Sequence, residues 1–140
     1  MSIVIYHNPE CGTSRNVLAI IEAAGYRPTI IPYLTTGWTI SQLLGLFAAA
    51  DLTPRAALRT SKSPAAALGL MDDGVSDEHI LEAMTKYPVL VNRPIVCTPM
   101  GVRLCRPSET VLDVLDRWPQ GPFIKEDGKL LIDEAGDRVL

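Results

Sequence analysis

The hydrophobic pattern at the start of the chain predicts a β-α-β unit. Residues 3–6 form a short apolar run typical of a strand. From Ser14 to Ala24 the apolar residues recur at helical spacing, and Gly25 follows as a typical helix-ending residue. A second apolar run, 29–31, comes after a proline and predicts the second strand, which we expect to pair in parallel with the first.

The middle of the chain is predicted to be helical, with frequent proline and hydroxyl residues between the helices. Thr39 and Gln42 have the spacing of a capping box and open an apolar helix through Ala50. Other hydroxyl residues stand where a helix could begin, two of them before a proline: Thr53-Pro54, Ser63-Pro64 and Ser76. Pro88 ends the last of these helices. We interpret this block, about 39–87, as a helical insertion, because no flexible linker flanks it.

Strands return in the last third of the chain. Residues 94–98 and 102–105 flank a Pro-Met-Gly turn and predict a β-hairpin. Ser108 then caps a helix that runs to about Leu115. The tail carries a turn signal, Asp127-Gly128, between two short apolar runs.

The element order is therefore β-α-β, a helical insertion, then β-β-α. This is the order of a thioredoxin-like core, so we expect an α/β fold in a single domain spanning 1–140. A chain of 140 residues that is 47% hydrophobic and 21% charged can bury one proper core. The net charge is −3 and there is no basic run, so a nucleic-acid partner is not expected.

The composition also bears on location and metal content. The chain begins without a signal-peptide pattern, and no apolar run is long enough to cross a bilayer. Its three cysteines are an odd number and too few for a disulfide framework, so a reducing cytoplasm is the expected setting. No Cys/His pair has the spacing of a zinc site, and we therefore expect no metal.

Cys11 is the first candidate for chemistry, because it lies between the first strand and the first helix. Backbone amides at a helix N-terminus can stabilise a thiolate and can also attract an oxyanion. The alternative is a buried cysteine that acts as a small hydrophobic side chain. The neighbouring residues suit loops and helix caps better than a core, which favours the functional interpretation: Asn8, Gly12, Thr13 and Ser14.

A dithiol redox site would need a second cysteine three residues after Cys11, and Ser14 occupies that position. Ser14 can donate a hydrogen bond but cannot close a disulfide. The thiol would therefore rely on an external reductant, or on Cys97 or Cys105 arriving by a conformational change. His7 has two interpretations, as a cation or proton donor near the thiolate, or as a hydrogen-bonded histidine at a strand end.

Three arginines are candidates for binding a tetrahedral oxyanion through two-point hydrogen bonds: Arg59, Arg93 and Arg106. A single arginine is more often a surface residue. Arg93 and Arg106 are favoured because each lies at an end of the predicted hairpin, whereas we interpret Arg103 as a surface residue. The Arg93–Pro94 bond is either a cis bond that faces the cysteine loop, as in thioredoxin-like proteins, or a trans bond that opens an edge strand.

Several segments along nearly the whole chain carry a family resemblance: Tyr6-His7-Asn8-Pro9-x-Cys11-Gly12-Thr13-Ser14-Arg15-Asn16, Arg55-Ala56-x-Leu58-Arg59, Leu68-Gly69-Leu70, Asn92-Arg93-Pro94-Ile95-Val96, Arg103-Leu104-Cys105-Arg106-Pro107-Ser108-Glu109, Lys125-Glu126-Asp127-Gly128 and Asp133-Glu134-Ala135-Gly136. Together they resemble the glutaredoxin-coupled arsenate reductase family. The resemblance implies that Cys11 is the nucleophile and that His7 and Ser14 help to activate it. It also implies that Arg59, Arg93 and Arg106 bind the arsenic oxyanion.

The same resemblance implies the reduction of arsenate, As(V), to arsenite, As(III), with glutathione as co-substrate, glutaredoxin as partner and no bound cofactor. Two other functions remain open at this point. A thioredoxin-like regulator of RNA polymerase often carries two cysteines three residues apart, and Ser14 and the segment 106–109 argue against it. A general monothiol oxidoreductase that acts on glutathionylated proteins would not need three arginines.

Overall fold

The computed structural model describes all residues, 1–140, and their contacts divide the chain into two compact units. The first unit comprises 1–31 and 93–140, and the second comprises 32–92. The second unit is wider than the predicted insertion, 39–87. The interpretation of the whole chain as one domain stays a prediction.

A four-stranded sheet is the centre of the first unit. Its elements are β1 (Val4–Tyr6), α1 (Gly12–Ala23), β2 (Thr29–Ile31), β3 (Ile95–Thr98) and β4 (Gly101–Leu104). The strand order is β2-β1-β3-β4, with β1 and β2 parallel and the other pairs antiparallel. A parallel pair extended by an antiparallel hairpin is the predicted arrangement, so the thioredoxin-like α/β fold is confirmed.

The segment after the hairpin differs from its prediction. In place of an α-helix, Ser108–Val114 forms a 3-10 helix that packs against α1. Thr110, Val111 and Val114 are β-branched, and a short run of such residues propagates an α-helix poorly. The buried apolar side chains of this helix still join those of α1 and the sheet in one core.

The tail forms a two-stranded hairpin of β5 (Phe123–Ile124) and β6 (Leu130–Ile132). The predicted turn is present, with Gly128 at φ +86°, a conformation that suits glycine. Leu131 and Ile132 are fully buried in the core of the first unit, which fixes the hairpin to it.

The second unit contains α2 (Tyr33–Thr36), α3 (Ile40–Ala50), α4 (Asp77–Lys86) and a 3-10 helix over Pro88–Leu90. The predicted capping box of α3 is present: Thr39 Oγ1 accepts from the Gln42 amide at 3.1 Å, and the Gln42 side chain accepts from the Thr39 amide. The Ser76 hydroxyl caps α4 by accepting from the His79 amide at 3.2 Å. No helix of the chain has the length and apolar character needed to cross a membrane.

The helices predicted after Thr53 and Ser63 are wrong, because both segments form only turns. The hydroxyl caps do form, Thr53 accepting from the Ala56 amide and Ser63 from the Ala65 amide. The first segment ends where Leu58 pairs with Val91 in a β-bridge. Since Gly69 has a positive φ of 72°, the second segment cannot continue as a helix.

Candidate functional site

The loop between β1 and α1 is held together by Asn8, which is only 4% exposed. Its backbone amide donates to Ser14 Oγ at 3.0 Å, and its carbonyl oxygen accepts from the Cys11 amide at 3.1 Å. Its side-chain Oδ1 accepts from the Glu10 amide at 3.0 Å, which is an Asx turn. The sequence analysis gave Asn8 no role beyond a loop residue, although an asparagine before a proline is a signal for such a turn.

This loop places Cys11 at the N-cap of α1, in an extended backbone conformation. The Cys11 carbonyl oxygen accepts from the Arg15 amide at 2.9 Å, the first bond of the helix. The residue is 6% exposed, and its thiol is free. The predicted position of the cysteine at a helix N-terminus is therefore observed.

The surroundings of Cys11 favour its charged form. Burial alone raises the pKa of the thiol, but the Ser14 amide, the Arg93 charge, the Thr13 amide and the Arg106 side chain together bring that pKa below its ordinary value. A purely apolar environment would have raised the pKa, so the site differs from that of a structural cysteine.

The strand register explains why two of the candidate arginines lie near this loop. Tyr6 at the end of β1 is opposite Ile95, and Ile95 is opposite Leu104, so the open end of the β3–β4 hairpin is level with the loop. Arg93 and Arg106 flank that open end. Arg106 Nη1 lies 3.7 Å from Cys11 Sγ and donates to the Arg93 carbonyl oxygen at 3.2 Å.

The Arg93–Pro94 bond is cis, and so is Arg106–Pro107, which the sequence analysis did not predict. Pro94 precedes an inner strand of the sheet, so the alternative of a trans proline opening an edge strand is wrong. Both bonds adjoin an arginine of the candidate site.

His7 and Ser14 form a buried pair next to the loop, with His7 Nδ1 2.6 Å from Ser14 Oγ. Burial, followed by the nearby charge of Arg15, lowers the pKa of His7, and the weaker effect of Glu22 opposes this. The neutral imidazole is thus favoured over the cation at neutral pH. The imidazole thus holds the Ser14 hydroxyl, which also accepts from the Asn8 amide of the loop.

Arg59 belongs to the second unit and is 9% exposed. Its Nε donates to the Ser61 carbonyl oxygen at 2.9 Å, and its backbone amide donates to the Leu90 carbonyl oxygen at 2.7 Å. Its own carbonyl oxygen accepts from the Ser63 hydroxyl at 2.5 Å. The segment that carries this arginine is therefore tightly held within its unit.

The other two cysteines have environments unlike that of Cys11. Cys105 is fully buried, and Cys97 is partly buried in β3; burial raises the pKa of both thiols. Cys97 is opposite Val4, whereas Ile95 is opposite Tyr6, the last residue of β1 before the loop. Cys97 therefore lies two residues, or ~7 Å along the strand, further from the Cys11 loop than Ile95 does. Both thiols are therefore protonated at neutral pH and are poor nucleophiles.

We expect Cys11 to titrate below the free-thiol value of about 8.5, whereas Cys97 and Cys105 should titrate above it. Since only the thiolate is alkylated, iodoacetamide should modify Cys11 first as the pH rises. The measurement is the pH dependence of alkylation, read by mass spectrometry for each cysteine. An ordinary or raised value for Cys11 would contradict the described environment, and a raised value in His7→Ala would show that the imidazole contributes.

No group of three or more His, Cys, Asp or Glu side chains is arranged to hold a metal ion. The groups gathered around Cys11 are the N-terminus of α1 and the cationic side chains of Arg93 and Arg106. Such a set can bind an oxyanion and attack it with sulfur.

Comparisons with known proteins find the ArsC family and relatives that are named arsenate reductases. The ArsC family model matches residues 6–114. "Arsenate reductase ArsI2" of Synechocystis sp. is 73% identical over 137 residues, which is 98% of each chain. "Arsenate reductase" of Rhizobium meliloti is 51% identical over 140 residues, the full length of both chains. Among solved structures, an arsenate reductase from Vibrio cholerae has a TM-score of 0.78 and 40% identity, and covers 82% of this chain and 98% of its own.

Proposed function

Because this chain belongs to the ArsC family, we propose that it is an arsenate reductase, which converts arsenate, As(V), to arsenite, As(III). The observation that carries the proposal is the pairing of Cys11 with Arg106. A thiol with a lowered pKa lies 3.7 Å from a guanidinium, so a nucleophile and an oxyanion donor occupy the same place.

The first step joins sulfur to arsenic without a change of oxidation state. The Cys11 thiolate attacks the arsenic atom of arsenate, and one arsenic oxygen takes up protons and leaves as water. The product is an S–As(V) adduct. The amides at the start of α1 and the arginine side chains stabilise negative charge on the remaining oxygens.

The second step supplies the electrons. The sulfur of glutathione attacks the Cys11 sulfur, the S–As bond breaks, and its electron pair passes to arsenic. Arsenic leaves as arsenite, and the two thiols have been oxidised to one mixed disulfide. Glutaredoxin then takes up the glutathione and returns Cys11 to the thiol. External thiols are needed because Ser14 cannot form a disulfide.

Within this scheme Arg93 and Arg106 bind the arsenate oxygens, and the family resemblance adds Arg59 to them. Ser14 contributes its backbone amide to the thiolate and its hydroxyl to the loop. His7 holds that hydroxyl as a neutral imidazole, which supports a positioning role for His7 rather than that of a cation. The enzyme works in the reducing cytoplasm with no resident cofactor, and glutathione is its co-substrate.

The two rival functions are not favoured. Relatives 51% and 73% identical over nearly the whole chain are named arsenate reductases, and the matched region includes all six candidate residues. The substrate of a general monothiol oxidoreductase is a glutathionylated protein, which has no tetrahedral oxyanion at the reacting sulfur for Arg106 to bind.

The deciding experiment measures arsenite formed from arsenate by the purified protein. We expect arsenite only when glutathione and glutaredoxin are both present, since the chain has no second reactive thiol beside Cys11 to supply the electrons. Omitting either component is the control. Reduction of a glutathionylated protein without any arsenite formation would contradict the proposal and favour the general oxidoreductase.

A further inference from the structure

The turn between β5 and β6, residues 125–128, contacts the start of α1. This segment, called the tail turn below, carries Glu126, whose carboxylate accepts from Arg15 Nε and Arg15 Nη2, each at 3.1 Å. The backbone amide of Glu126 donates to Asn16 Oδ1 at 3.0 Å. Arg15 and Asn16 lie only four and five residues after Cys11.

Arg15 extends this contact to the loop before Cys11. Its Nη1 donates to the Pro9 carbonyl oxygen at 2.8 Å, and its Nη2 lies 3.6 Å from where a Cβ on Gly12 would be. One guanidinium therefore joins Pro9, the first turn of α1 and the tail turn.

Lys125, the residue before Glu126, contacts the segment 106–109. This segment, called the Arg106 segment below, carries the arginine that lies beside the Cys11 thiol. Lys125 Nζ lies 3.2 Å from Glu109 Oε1, and both side chains are largely buried, at 11% and 15% exposure. Burial raises the pKa of Glu109, but hydrogen bonds from its own backbone amide and from Lys125 outweigh this effect. The pKa is therefore below its ordinary value, and the carboxylate is charged at neutral pH. Glu109 follows Arg106 by three residues.

We propose that Lys125 and Glu126 are positioning residues of the nucleophile. Through two adjacent side chains, the tail turn fixes the Cys11 loop and the Arg106 segment relative to each other. It thereby sets the distance between the Arg106 guanidinium and Cys11 Sγ. The proposal rests on the proposed function only in taking the Cys11 thiolate as the nucleophile.

Simple stabilisation of the fold is the competing explanation, and exposure argues against it for one pair. The side chains of Arg15 and Glu126 are 46% and 49% exposed, and ion pairs so open to water contribute little to stability. Their bidentate geometry and the added backbone hydrogen bond instead restrict orientation.

The test uses Glu126→Ala and Glu109→Ala, singly and together, with the Cys11 pKa measured by iodoacetamide alkylation. Each variant removes a negative charge, which by electrostatics alone would lower the Cys11 pKa. Loosening of Arg106 from the sulfur would raise it. We expect the double variant to raise the Cys11 pKa by about 0.5 to 1 unit, since one charge-assisted contact is weakened rather than abolished.

The matched control is Asp113→Ala, which removes a carboxylate paired with Arg138 at 3.0 Å. This pair also joins the tail to the 3-10 helix, but at Asp113, seven residues after Arg106, and neither side chain hydrogen-bonds to the Cys11 loop. We expect no rise in the Cys11 pKa for this variant. Glu126→Gln keeps an acceptor for Arg15 and should show a smaller rise than Glu126→Ala.

An unchanged or lowered Cys11 pKa in variants with native circular dichroism would overturn the proposal. Glu126→Ala alone keeps the test decisive if the buried Glu109 variant fails to fold, because the Arg15–Glu126 pair is half exposed. Alkylation requires no arsenate, so the comparison remains valid even if the unsubstituted protein reduces none. In an active enzyme, we also expect Glu126→Ala to lower kcat/KM for arsenate, because a smaller fraction of Cys11 is then thiolate.

Discussion

Cys11→Ser is expected to lower arsenate reduction to the background rate while circular dichroism stays native. Serine is far less nucleophilic than the thiolate that the start of α1 favours. It also cannot form a mixed disulfide with glutathione, so the two-electron step has no donor on the protein. The expected loss in kcat is about a thousandfold or more. The measurement is arsenite formation with glutathione and glutaredoxin in excess.

Two further cysteine variants serve as controls for this result. Cys97→Ser makes the same chemical change in β3 and should keep most of the activity. Cys105→Ala is the better choice for the fully buried thiol, because a serine there would place a hydroxyl in the apolar core. If either variant were as damaging as Cys11→Ser, the single-thiol scheme would be wrong.

Arg106→Ala is expected to lower kcat/KM for arsenate by about ten- to a hundredfold, the value of one charge-assisted hydrogen bond. The loss should be accompanied by a higher Cys11 pKa, because this arginine also faces the sulfur. Arg106→Lys should rescue only in part, since a point charge cannot replace a two-point donor. Steady-state kinetics over a range of arsenate concentrations, with circular dichroism, checks the result.

Arg103→Ala is the matched control. Arg103 lies in β4, three residues before Arg106, and its side chain donates to the Val102 carbonyl oxygen. It should retain nearly full activity. We expect Arg59→Ala and Arg93→Ala to weaken arsenate use to a similar extent as Arg106→Ala. Full activity in all three arginine variants, or an arsenate ion bound away from Cys11 in a crystal, would remove the assignment.

Local signals allowed the sequence to predict much of the fold. The capping box at Thr39, the apolar periodicity of α1 and the short apolar runs of the sheet each depend on residues close in sequence. The same locality misled the prediction after Thr53 and Ser63. There the caps formed, but a distant pairing of Leu58 with Val91 and the positive φ of Gly69 stopped the helix.

The candidate site was predictable as a set of residues but not as a geometry. The sequence suggested Cys11 at a helix start and arginines at the hairpin ends. The 3.7 Å contact between Arg106 and Cys11 depends on strand register, which joins residues 95 positions apart. The Asp127-Gly128 signal predicted the tail turn itself but not its contact with α1, because the ion pair of Arg15 and Glu126 follows no periodic pattern.

The position of Cys11 at the N-cap couples the reaction cycle to the stability of α1. A negative charge at a helix N-terminus is worth about 0.3–1 kcal/mol, and the resting thiolate supplies it. The S–As(V) adduct keeps negative oxygens at the same amides, but sulfur bonded to glutathione carries no charge, so the mixed disulfide forgoes this stabilisation. The helix therefore favours release of the sulfur, which makes the mixed disulfide a stronger oxidant and easier for a partner thiol to reduce.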